Sequence, residues 1–208
     1  MTNEEILENG RNLFQSAENL RQSAPDLDAL MASLSDLLSK ETFAGGKAKY
    51  ASREDDSSGN DWIATTYTGN FEVRGQGRGA PRIGTITYVV RLCGNDAPSS
   101  QDPTWPWLDQ ACLFVGWHRN HDYWGPEDFE PSEARNLHHR KHGLWAYCHP
   151  EENEDSAYFF AVPIFALQNE KDLRCVVVDP LTTLFQNDSP ADADGCALHD
   201  CALKPSPE

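Results

Sequence analysis

The hydrophobic period of this chain switches from helical spacing to two near residue 60, and that change limits the fold more than any other feature. Before it, apolar residues recur at helical spacing. Ile6, Gly10, Leu13, Phe14, Ala17 and Leu20 form one stripe, and Leu27, Leu30, Met31, Leu34, Leu37 and Leu38 form a second, cleaner one. Thr2 or Asn3 is placed to cap the first helix, with Glu4 and Glu5 in the turn where the helix dipole favours negative charge. Between the stripes stands Ser23-Ala24-Pro25. Proline lacks an amide donor and suits the first position of a new helix. Residues 1–45 therefore predict a helical hairpin ended by Gly45-Gly46. Two short amphipathic helices are not stable alone, so the hairpin should pack on the rest of the fold or on a second subunit.

After a polar stretch at residues 51–60, read as a loop, the period is two. Trp62 to Thr68, Phe71 to Arg74 and Ile83 to Leu92 read as strands. In the last, Ile86, Tyr88, Val90 and Leu92 share one face and Thr85, Thr87 and Arg91 the other. A buried inner face and a solvated outer face point to an antiparallel sheet. The glycines between Arg74 and Pro81 lead into a strand, not a helix, so they read as a strand connection and not a phosphate cradle. Ala111 to Trp117 is apolar throughout and predicts a buried strand. Pro131 to His142 fits a short helix stopped at Gly143. Leu144 to Cys148 and Ala157 to Phe165 read as two further strands. Asn169 is placed to cap a last helix carrying Leu173, Val176, Val177, Leu181 and Leu184, which Pro180 should kink or divide. Arg174 to Val178 reads alternatively as a strand. The fold class is α+β: residues 1–186 as one domain with a sheet-containing core at 61–186, then a flexible acidic tail at 187–208.

No apolar run approaches the ~20 residues of a membrane span, and Met1 to Leu7 lacks the features of a signal peptide. The expected location is cytoplasmic, and the cysteines should be reduced there, with Cys112, Cys148 and Cys175 as small buried hydrophobes. The net charge is −16, and residues 151–208 alone carry 12 acids and 3 bases. Such a field repels nucleic-acid backbones and anionic membranes and draws in basic proteins.

Five of the six tryptophans and six of the seven histidines lie between Trp105 and His149. His138 and His142, four apart, would share a face of the predicted helix. With His118 and His121 they make a zinc site chemically conceivable. A basic last helical turn explains the same residues without metal, and the HExxH spacing is absent. Trp105, Trp107 and Trp124 stand in polar surroundings and suit rigid interface anchors. They neighbour acidic stretches bearing Glu127, Asp128, Glu130, Glu151, Glu152, Glu154 and Asp155. No catalytic motif is present at its required spacing, so no catalytic residue and no cofactor is assigned.

The leading reading is a non-enzymatic acidic protein that engages a basic protein partner, by the charge logic of immunity proteins, toxin antagonists and inhibitors. The alternative is a metal-dependent hydrolase using the His118–His149 cluster. A further one is a structural subunit that dimerises through its N-terminal helices on the Leu27–Leu38 face; as to assembly, the chain is expected to be a monomer or such a homodimer.

Overall fold

Helix α1 runs without interruption from Asn3 to Lys40, through Pro25. The expected hairpin is thus one long helix. A hairpin needs residues that reverse the chain, and Ser23 and Ala24 are both compatible with helix. Pro25 removes its own amide from the ladder and crowds the carbonyl four residues before it, a local cost that does not end the helix here. The Ser23 hydroxyl donates back to the Asn19 carbonyl at 2.8 Å, as Ser16 does to Asn12, both within the helical backbone. The computed structural model describes residues 3–55, 66–92, 110–118, 137–148 and 157–185, with 195, 197, 198, 200 and 202–204 near the C-terminus. They divide into two units, Met1–Asp36 and Leu37–Glu208.

In the first unit the two apolar stripes of α1 have opposite fates. Leu7, Leu13 and Phe14 are 60%, 74% and 72% exposed, whereas Met31 and Leu34 are buried. Leu37 and Leu38, which continue the second stripe into the second unit, are buried too.

The second unit is built on an antiparallel sheet. Among the described residues it has eight strands: β1 (Thr42–Phe43), β2 (Gly46–Asp55), β3 (Thr66–Arg74), β4 (Arg82–Arg91), β5 (Cys112–His118), β6 (Leu137–His139), β7 (Trp145–Tyr147) and β8 (Ala157–Pro163). Their order is β1-β2-β3-β4-β5-β8-β7-β6. The α+β class with a mainly antiparallel sheet and a C-terminal helix is therefore as read from the pattern. Several boundaries differ. Ala44 and Gly45 both have positive φ and make the two-residue turn between β1 and β2. The polar stretch 51–55 continues β2, because its partner β3 supplies the ladder. Trp62–Thr68 and Phe71–Arg74 are not two strands; the described part, from Thr66 on, is one, and Gly69 within it lies under the Tyr88 ring where a Cβ would collide. The glycine stretch does connect β3 to β4, closed by Gly75 N–H donating to the Pro81 carbonyl at 3.2 Å.

The central strands are buried on both faces. All of β5 and Gly84–Arg91 of β4 are inaccessible, as are Ala157–Val162 of β8. The outer face expected to be solvated on β4 is thus covered: Thr85, Thr87 and Arg91 are as buried as Ile86 and Tyr88. The two faces differ in chemistry. One carries Phe71, Ile86, Tyr88, Val115, Trp117 and Phe160, with Trp117 stacked on Phe185 at 5.5 Å. The other carries the cluster Val89, Cys112, Phe114, Trp145 and Phe159, and beside it the polar side chains of Thr66, Thr68, Asn70, Thr85, Thr87, Arg91 and His118.

After β8 a 3-10 turn (Ile164–Ala166) leads to α2 (Glu170–Leu173), whose Asn169 cap accepts from the Asp172 amide at 3.1 Å, as expected. Arg174–Val178 is one π-helical turn, not a strand, and α3 (Asp179–Leu184) follows. The π-turn stands just before Pro180, whose missing amide divides the helix where its position foretells. In the segment read as a free tail, Leu203 N–H donates to the Ala161 carbonyl at 2.8 Å. Trp145 Nε1 donates to the Leu203 carbonyl at 3.3 Å, and Ala202 is buried.

Candidate functional site

The histidines do not assemble as a helix would have assembled them. Leu137–His139 is strand β6, paired with Trp145–Tyr147, and residues 140–144 form the turn between. Arg140 N–H donates to the Leu144 carbonyl at 2.8 Å, and Leu144 N–H to Lys141 at 2.9 Å. His142 and Gly143 both have positive φ. The same Gly143 that suits a helix stop suits this hairpin, so composition did not separate the two. His138 is exposed on β6 and His142 exposed in the turn, and the shared helical face that motivated a zinc pair is absent. His118 is buried at the end of β5, its Cα opposite Thr85 and Ala157. His121 lies outside the described residues, as does His149. Among the described residues, no group of three or more His, Cys, Asp or Glu side chains is arranged to hold a metal ion.

His139 carries no sequence signal of its own, yet it has a defined role. Its Nε2 accepts the Gly143 amide at 3.1 Å, and its ring lies 5.1 Å from that of Trp145. Only neutral imidazole can accept at that nitrogen. Burial holds its pKa below the ordinary value, and the positive charges of His142 and Lys204 press it further down. The hydrogen bond at the hairpin tip thus favours the neutral form of His139. Arg140 sits over the Tyr158 ring at 5.5 Å and donates to its hydroxyl at 3.2 Å.

The buried polar row is the other feature missed. Thr87 Oγ1 donates to Asn70 Oδ1 at 2.8 Å, and Asn70 Nδ2 donates to Ser52 Oγ at 3.3 Å, linking β4, β3 and β2. Arg91 stands opposite Cys112. Burial pushes the Cys112 thiol up to about 12, against the opposing pull of the Arg91 cation. A thiol so protonated is a poor nucleophile at neutral pH, which matches its reading as a small buried hydrophobe. Cys148 is half-buried, and Cys175 is exposed, contrary to expectation; all three are free thiols. The signal for this row was the continuous apolar run of β5: a neighbour of a strand buried on both faces is covered on both faces too.

Trp105, Trp107, Trp124, Glu127, Asp128, Glu130, Glu151, Glu152, Glu154 and Asp155 all lie outside the described residues. The strand ends that flank them are described. His118, Ala157, Tyr147 and Leu137 are consecutive partners in one row across β5, β8, β7 and β6. The chain leaves that row at His118 and re-enters at Leu137; it leaves again after Tyr147 and re-enters at Ala157. Residues 119–136 and 149–156 are therefore both tethered to one end of the sheet. The stretch holding Trp105 and Trp107 is tethered to the other, where Thr66, Arg91, Cys112 and Pro163 form the terminal row.

No protein-family model, curated protein or solved structure matches this chain. Its class is stated by architecture: an α+β protein whose described strands form one antiparallel sheet. No helix among the described residues is long and apolar enough to cross a membrane.

Proposed function

We propose that this chain is a non-enzymatic acidic binding protein that engages a basic protein surface through residues 119–136 and 149–156. The observation that carries the reading is the shared tether. Two stretches that together hold nine acidic residues and two arginines begin and end in one row of the sheet, in a chain of net charge −16. Acidic groups concentrated at one end of a rigid sheet focus a negative potential there, which steers a basic partner and repels nucleic acid. Trp124, in the first of these stretches, supplies an aromatic anchor of the kind that dominates interface energetics. Trp105 and Trp107, tethered at the opposite end, are secondary in this reading. A cytoplasmic setting suits the free thiols of Cys112, Cys148 and Cys175.

The test is affinity capture from the native host at low and high ionic strength, with wild type and with a variant in which Glu127, Asp128, Glu130, Glu151, Glu152, Glu154 and Asp155 become Gln or Asn. A basic protein held at low salt, released at high salt and lost to the variant supports the proposal. Retention of nothing at low salt, or retention indifferent to the variant, refutes it.

A further inference from the structure

We propose that the exposed stripe on the N-terminal half of α1 pairs with the same stripe of a second copy of this chain, antiparallel and centred between Leu13 and Phe14. The exposure calls for a partner. Leu7, Leu13 and Phe14 are each more than half accessible, while the remaining circumference of residues 3–24 is mostly Asn, Gln, Ser and charged side chains. Helices in water draw most of their stability from burying an apolar face.

Self-pairing is singled out by the mirror symmetry of the stripe. In the register that sets Leu13 against Phe14 of the second copy, Gly10 falls against Ala17. The residues so paired match in size, small against small and large against large, and the two-fold axis of an isologous interface repeats each pair. Gly10 adds a separate argument. A glycine inside a helix costs about 1 kcal/mol relative to alanine, yet a Cβ there would meet nothing within 4 Å in this chain. Opposite Ala17, two small residues let the helices approach closely. The flanking charges agree as well. Arg11 and Glu18 lie on the same flank of the stripe, and same-side flanks meet in an antiparallel pair, so each Arg11 reaches toward Glu18 of the other copy. Within one helix they stand seven residues apart, roughly 10 Å, too far to bond directly. Glu18 accepts from Arg21 at 2.6 and 3.0 Å and from Gln22 at 2.9 Å, so the second copy's Arg11 would join a cluster already formed around it. An anionic lipid surface is disfavoured, because residues 3–26 carry five acids against two arginines.

This surface is separate from the acidic stretches proposed to bind a basic protein, and the variants below leave those stretches intact. Sedimentation equilibrium of the full chain over a wide concentration range should show a reversible dimer. Phe14→Glu should weaken it roughly a hundredfold or more, since both copies lose a central anchor, while its circular dichroism should match that of wild type at concentrations where wild type is monomeric. Arg11→Glu should weaken it about tenfold, and Arg11→Glu with Glu18→Arg should restore it. A parallel pair offers no such rescue. The proposal is overturned by a wild type that stays monomeric at every concentration, by a dimer indifferent to Phe14→Glu, or by failure of the double variant to recover. Flotation of a monomeric wild type with anionic phosphatidylserine vesicles would overturn it in favour of a lipid surface.

Discussion

The two halves of α1 carry apolar stripes of similar composition, and one is buried while the other faces solvent. Angular position alone does not separate them: Leu13 and Met31 stand five whole turns apart and so share one side of the helix, yet Leu13 is exposed and Met31 buried. The hairpin expected from the sequence would have covered both stripes by folding one helix back beside the other. The uninterrupted helix leaves the difference standing, with Met31, Leu34, Leu37 and Leu38 buried and Leu7, Leu13 and Phe14 exposed. Apolar periodicity marks a face that needs covering; it does not say by what.

The comparison breaks most decisively at paired truncations. Leu38→Ala should lower unfolding stability by about 2–5 kcal/mol, the range for a buried leucine, whereas Leu13→Ala should stay within about 0.5 kcal/mol at dilute protein concentration. Denaturant titration of both variants checks this. Equal losses would show that the N-terminal stripe is also covered within one chain. Pro25→Ala comes next. It removes a residue that disfavours a helix interior by about 3 kcal/mol, so far-ultraviolet ellipticity should rise and protease cleavage near residue 25 should slow. If the two halves are energetically separate, the denaturation midpoint of the sheet stays put; a matching rise would join them.

The smallest effect expected is pH-dependent and confined to the second unit. His139 has a lower pKa folded than unfolded, from burial first and then from His142 and Lys204. The unfolded chain therefore binds the proton more readily. The stability tied to the neutral ring is fully present above the ordinary histidine value of 6.5 and is lost as pH falls from there through the lower folded value. Acidification from neutral to mildly acid pH should shift the sheet's midpoint down slightly, and His139→Gln should flatten that shift. Hydrogen exchange at the Gly143 amide, which donates to Nε2, reports the same event locally. An unchanged pH profile in the variant would show that His139 is not the group responsible.

Much of the sheet was legible because its signals are local. The apolar run of β5, the strand of β8 and the alternation in β4 name themselves, and Asn169 and Pro180 mark the start and the division of the last helix. The β6–β7 hairpin was not legible. A basic run ending at a positive-φ glycine satisfies a helix terminus and a strand turn equally, and pairing with Trp145–Tyr147 decides between them. The polar row Thr85, Thr87 and Arg91 was read as a solvated face for a similar reason. Threonine and arginine on alternate positions look the same whether water or protein covers them. Of the candidate site, the acidic and tryptophan residues could be named from composition and charge. That two of the acidic stretches leave from one row could not, since it depends on β8 inserting between β5 and β7.

The sequence by itself determined the α+β class, the antiparallel sheet and the negative field, because period, β-propensity and charge are properties of neighbouring residues or of their sum. Only the tertiary structure decided that the N-terminal stripes share one helix, that both faces of the central strands are buried, and that His139 accepts a hydrogen bond while His138 and His142 part. Those outcomes follow from contacts between residues far apart in the chain, where free energy is set by the partner supplied and not by the pattern that asks for one.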